Sequence, residues 1–268
     1  MMRCRTTILL LVLVAAGCAG RVQTLHEGEG YSRAALRAGR IAVGGVVMAA
    51  RLQDDPDFVM PDGVPRGDVL AQGDAWSSAL YGGLLAASPQ TVVWPFPVVS
   101  SALEDSSLVD ALQAVARGAV LHASQLQRLA APLESLDYLA VARIDGDEQS
   151  LHEGTAGAVD NQRARDGRDL HGSPRDSALK TRRAVTVTLD VYDLAAGRSV
   201  WTATVTRHRD ELYNFADEAG SGRPPVVPAG QPVITADGRP LPTADFTPVL
   251  QDACNALARS LLEEPESR

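Results

Sequence analysis

Residues 182–208 read RRAVTVTLDVYDLAAGRSVWTATVTRH, and the period of this stretch decides how the chain folds. Val185, Val187, Leu189 and Val191 alternate with Thr186, Thr188, Asp190 and Tyr192. A period of two puts the first set on one face of a strand and the second set on the other. The segment AAGR then supplies a turn, and SVWTATVTRH returns with the same alternation. Two such runs joined by a short turn predict an antiparallel hairpin.

Upstream of the hairpin the pattern is different. RIAVGGVVMAA (40–50) is a nearly continuous apolar run, as in a strand buried on both faces. A polar loop follows from Gln53 to Gly73. Trp76, Ala79, Leu80, Gly83, Leu84 and Ala87 recur at helical spacing until Ser88-Pro89 stops them. TVVWPF (91–96) is a second strand, ended by its prolines. Leu108, Ala111, Leu112, Val115 and Ala119 form one helical face behind the cap candidates Ser106 and Ser107, with a shorter helix from Ser124 to Ala131. DYLAVARI (137–144) is the third strand. This alternation of strands and helices predicts an α/β fold with helices on a mixed sheet: parallel N-terminal strands and the hairpin added antiparallel. A C-terminal helix closes the chain, with Thr247 as cap, Pro248 in its first turn, and Leu250, Ala253, Cys254, Leu257 and Leu261 on one face.

The start of the chain carries a different signal. Arg3 and Arg5 precede an apolar stretch from Ile8 to Ala16, which is the layout of a secretory signal peptide and too short to span a bilayer. Ala15, Ala16 and Gly17 lead directly into Cys18, which resembles the lipobox of bacterial lipoproteins. That resemblance implies diacylglycerol attachment at Cys18, removal of residues 1–17, and Ala19 as a residue compatible with export to the outer membrane, facing the periplasm. Each buried methylene contributes about 0.8 kcal/mol, so the several chains of such an anchor hold where one would not.

Without residues 1–17 the chain keeps 23 basic against 33 acidic side chains, a formal charge of −10. That balance argues against nucleic acid, whose binding rests on clustered Lys and Arg. With Cys4 removed and Cys18 lipidated, Cys254 has no partner for a disulfide and is expected in the core. No catalytic, cofactor-binding or metal residues are assigned. Gly44-Gly45 lacks the other glycines of a phosphate loop, and suits close packing of a helix on the strand. His26, His122, His152, His171 and His208 lack metal-ligand spacing. The pairs Asp54-Asp55, Glu104-Asp105 and Asp147-Glu148 are expected in polar loops, and Arg66-Gly67-Asp68 matches an adhesion tripeptide by chance.

The strand Asp137–Val141, the hairpin Val185–Trp201 with Asp193, Gly197 and Trp201, and the opening Arg40–Val43 together resemble periplasmic lipoproteins related to the curli-secretion lipoprotein CsgG and the activator of peptidoglycan synthase. The resemblance implies a Rossmann-like three-layer sandwich with no catalytic residues to carry over. The expected organisation is a signal peptide over 1–17, a lipidated tether over 18–35, and one domain over 36–264 with flexible excursions at 145–182 and 210–245. The expected function is a lipid-anchored, non-enzymatic binding or assembly lipoprotein of the envelope, with the membrane and an envelope protein as partners and its oligomeric state open. The alternatives are a subunit of an outer-membrane secretion assembly and an envelope hydrolase. Neither excursion has the alternating run of about ten residues that a membrane strand needs.

Overall fold

A computed structural model describes residues 20–103, 105–154, 178–214 and 243–263. Its strands are β1 (Gln23–Glu27), β2 (Arg40–Met48), β3 (Val92–Trp94), β4 (Tyr138–Gly154), β5 (Ala178–Asp193) and β6 (Arg198–Asn214). Its helices are α1 (Arg33–Ala38), α2 (Ala50–Gln53), α3 (Val69–Ala87), α4 (Phe96–Ala102), α5 (Asp105–Ala116), α6 (Ala123–Ala130) and α7 (Phe246–Leu262). The strands form one mixed sheet in the order β1-β6-β5-β4-β2-β3. β2 pairs parallel with both β3 and β4, while β4, β5, β6 and β1 pair antiparallel in succession. The parallel N-terminal strands, the added hairpin and the closing helix are as the hydrophobic periods require.

Register explains which residues the helices cover. Val187, Leu189 and Val191 lie opposite Val205, Ala203 and Trp201 on β6, and all six are buried. α7 packs on this side of β5 and β6, and α3 packs on both α7 and β2. Trp76 of α3 meets Phe246 of α7 with ring centroids 5.5 Å apart, a tilted pair contributing about 0.5–1.5 kcal/mol beyond its burial. α3 and α7 come close at Gly83, where a methyl group would stand 3.0 Å from the Cys254 carbonyl oxygen. Cys254 itself is fully buried and free of any disulfide, and burial pushes its thiol up to about 12.

The opposite side of β2 and β4 is covered by α4 and α5. Gly45 makes this possible. It sits in a bulge of β2 with φ 139, a region that favours glycine, and a side chain there would run 2.9 Å from Leu112 of α5. The close packing expected of Gly44-Gly45 is thus located at α5.

Several boundaries differ from the sequence reading. The tether expected over 18–35 is part of the fold from residue 23 onward: β1 pairs with β6, and Ser32 caps α1, whose Leu36 is buried. Tyr31 Oη and Arg33 donate to the carbonyls of Leu261 and Ser260, which fastens this segment to the end of α7. Every residue of β1 is exposed, so no apolar alternation marks it, and it is held by the backbone groups that the β6 edge would otherwise leave open.

The excursions are shorter than 145–182 and 210–245. β4 continues to Gly154, β5 begins at Ala178 and β6 ends at Asn214, so the three run on together past Ile144, the last partner of β2. The expected loops that remain, 155–177 and 215–242, lie outside the described residues. Finally, α3 starts at Val69 rather than after Gly73, because Asp68 caps it by accepting from the Ala71 amide at 3.0 Å. At α7 the cap position is Asp245, while the Thr247 hydroxyl donates to Asp62.

Candidate functional site

In open α/β sheets ligands gather at the carboxyl ends of parallel strands. Here that place on β2 is filled by the chain itself. The Met48 amide donates to Gln72 Oε1 at 2.9 Å, Gln72 Nε2 donates to Gln53 Oε1 at 2.9 Å, and Gln53 Nε2 donates to the Met48 carbonyl at 2.7 Å. Both glutamines are buried. Arg66 closes the adjoining turn by donating to the carbonyls of Gln53, Asp55 and Phe58. With the Gly67 amide donating to Gln53 Oε1 at 2.8 Å and Asp68 capping α3, the Arg66-Gly67-Asp68 tripeptide has a structural use at all three residues.

The polar side chains gather elsewhere, on the face of β4, β5, β6 and β1 turned away from α7. Strand alternation places Arg143, Thr188, Asp190, Thr202 and Thr204 there, because β4, β5 and β6 pair them across the sheet in register. The Arg143 Nε donates to Asp145 Oδ1 at 2.7 Å, and its terminal nitrogen reaches the Val115 carbonyl near the end of α5. The Thr188 hydroxyl donates to the other Asp145 oxygen at 2.6 Å. Asp190 accepts from Thr202 at 2.6 Å, and Tyr192 Oη accepts from the Leu121 amide at 3.4 Å. Thr186 and Thr206 share a hydroxyl contact of 2.9 Å further along the same rows. Gln23 and His26 of β1 continue this face at the sheet edge, both exposed.

Asp190 is the more buried of the two carboxyls in this network. It is only 6% exposed, and burial raises its carboxyl above its ordinary value. The Thr202 hydrogen bond, Arg143 and His26 pull the value back, and Asp145 pushes it up. The folded carboxyl therefore binds a proton more readily than the unfolded one. Stability contributed this way is present at low pH and is lost as pH rises through the raised value. Asp190→Asn keeps the shape and an acceptor for Thr202 without the buried charge. It is expected to raise the melting temperature at neutral pH by a few degrees, at about 2–4 °C per kcal/mol for a domain of this size. The difference from wild type should shrink as pH falls toward the carboxylate range; a difference that stays constant with pH would contradict the assignment.

The carboxylate pairs expected in loops divide between two settings. Asp54 and Asp55 stand at the end of α2 and just after it, whereas Asp147 and Glu148 are on β4. Asp147 pairs with Arg183 through bonds of 2.6 and 2.7 Å, with side-chain exposures of 4% and 12%. The Arg183 guanidinium also lies 5.0 Å from the centre of the Phe246 ring. This pair is on the α7 side of the sheet and serves the core. Among the described residues no group of three or more His, Cys, Asp or Glu side chains could hold a metal ion. Nor is any helix among them long and apolar enough to cross a membrane. Cys18 lies outside the described residues, which begin at Gly20, three residues before β1. The polar network was not anticipated from sequence. Its signal is the row of threonines and Asp190 opposite the apolar face, which the period of two assigns to the second side of the strand and to no network.

No protein-family profile matches the chain, and no curated protein matches it. Among solved structures it is similar to a PelC dodecamer from Paraburkholderia phytofirmans, at 11% identity over 92% of this chain and 99% of that chain, with a TM-score of 0.36. A substituted form of the same PelC, also a dodecamer, aligns at 16% identity over 71% of this chain and 82% of that chain, with a TM-score of 0.32.

Proposed function

We propose that this chain is a lipid-anchored, non-enzymatic binding or assembly module of the bacterial cell envelope, attached through Cys18 to the outer membrane and facing the periplasm. The observation that carries the reading is how soon the fold begins after the lipidation position. The chain enters the sheet at Gln23, five residues past Cys18. Five residues span at most about 18 Å, so the β1 edge would lie close to the lipid surface and the domain would be oriented by its anchor. The short leader with its apolar run and small residues before Cys18 supports the same reading.

The surface assigned to the partner, an envelope protein, is the polar face that carries Thr204, Thr206 and the exposed β1 residues Gln23 and His26. Its side chains are held in fixed rows by strand pairing and by the Arg143 and Asp190 networks, which limits the ordering cost of binding. The resemblance to CsgG-related and peptidoglycan-synthase-activator lipoproteins, with their Rossmann-like three-layer sandwich, belongs to this reading. Parallel β3, β2 and β4 linked through α3 and α5 support it.

The test is a photo-crosslinking residue placed at Thr206 in the full chain expressed in cells. One discrete envelope-protein adduct is expected, and it should disappear when Cys18→Ala removes the anchor. No adduct in either form, or equal adducts in both, would reject the reading.

A further inference from the structure

α7 presents Asp252, Asn255, Ala256 and Arg259 as one stripe, because residues three, four and seven apart share a helix face. This stripe faces Arg207 of β6 across an open groove of about 470 Å³. Two guanidiniums, Arg207 and Arg259, thus line the same groove in a chain that is acidic overall. The nearest carboxylate, Asp252, is already engaged by Arg209, whose Nε donates to its Oδ2 at 2.7 Å. Among the described residues neither Arg207 nor Arg259 makes a side-chain hydrogen bond or ion pair. Burial and the facing Arg259 both disfavour the charge on Arg207, with Asp252 partly offsetting them. Like charges facing each other with spare donors are the arrangement an anion relieves, and a guanidinium fork matches the oxygens of a phosphate group.

We propose that the groove between α7 and β6 is an anion site, in which Arg207 and Arg259 hold a phosphate group and Asn255 supplies a further donor. The location favours a phospholipid headgroup as its source. Gly20, the first described residue, sits against Arg207: a methyl group built on it would lie 3.2 Å from the guanidinium. The groove therefore opens where the chain comes from Cys18, two residues earlier. Only this choice of source rests on the lipid-anchor reading. The binding of phosphate by the arginine pair stands without it.

The full chain, purified in uncharged detergent, is titrated by calorimetry with inorganic phosphate and, separately, with micelles containing phosphatidylglycerol or phosphatidylcholine. Binding of phosphate and of phosphatidylglycerol is expected, weakened at least tenfold in the Arg207→Gln, Arg259→Gln double variant and weakened in wild type by added salt. Asp252→Asn, which removes the competing carboxylate, should bind more tightly than wild type, an outcome that damage to the fold would not produce. Binding of phosphate but not of phosphatidylglycerol over phosphatidylcholine would retain the site and assign it to a free phosphate. Absent binding, or binding unchanged in the double variant, would overturn it.

Discussion

Asp147→Ala should cost the domain about 3–5 kcal/mol of unfolding free energy, the effect of leaving one member of a buried ion pair alone. Arg183 would then keep a nearly buried guanidinium against Phe246 and the Ala244 carbonyl with no carboxylate to balance it. The cost is in the charge left behind rather than in the bonds removed, so the two partners need not behave alike. Replacing both, as Asp147→Leu with Arg183→Met, should recover much of the loss, because apolar groups of similar volume remove the stranded charge. Chemical denaturation of the three proteins checks this. A single variant within about 0.5 kcal/mol of wild type would show that solvent reaches the pair. The exposed pair Arg209 and Asp252, with side chains 47% and 39% exposed, contributes about 0–1 kcal/mol and sets the contrast.

Gly45→Ala is the second substitution expected to be severe. It forces a side chain into a backbone conformation that only glycine adopts readily, at about 1–3 kcal/mol. The new methyl group also meets Leu112 at 2.9 Å, adding an overpacking cost of about 1–3 kcal/mol. Leu112→Ala placed beside it should relieve the second cost and leave the first. Partial rescue in thermal melts is therefore expected, whereas full rescue would mean that the β2 bulge carries no backbone strain.

What the sequence made legible follows from where apolar residues are spent. β2, the common part of β4, β5 and β6, and the helices α3, α5 and α7 each turn an apolar face to the core, so their periods are visible and their pairing follows. Elements held by other means are not visible in that way. β1 is a fully exposed edge strand joined by main-chain bonds alone. The ends of β4, β5 and β6 read as loops because they are polar, yet two of the charges there are paired between strands, Arg182 with Asp210 and Arg183 with Asp147. The polar network was hidden for a related reason. Asp145 reaches both Arg143 and Thr188 from a bulge, and a bulge leaves no period to read.

The groove on α7 was half legible. Asp252, Asn255 and Arg259 interleave with the apolar stripe that predicted the helix, but nothing in the sequence indicates that Arg207 stands opposite them. Only the register of β6 against the helix does that. Cys254, by contrast, was placed correctly by its spacing from Leu250, Leu257 and Leu261, all buried with it.

The proposed anchor at Cys18 would fix both the compartment and the orientation of the domain. Its most direct test is intact mass spectrometry of the chain recovered from outer membranes, followed by sequencing of its first peptide. A mature N-terminus at Cys18 carrying diacylglycerol is the predicted result. An N-terminus that retains residues 1–17, or that begins at an unmodified residue, would contradict it.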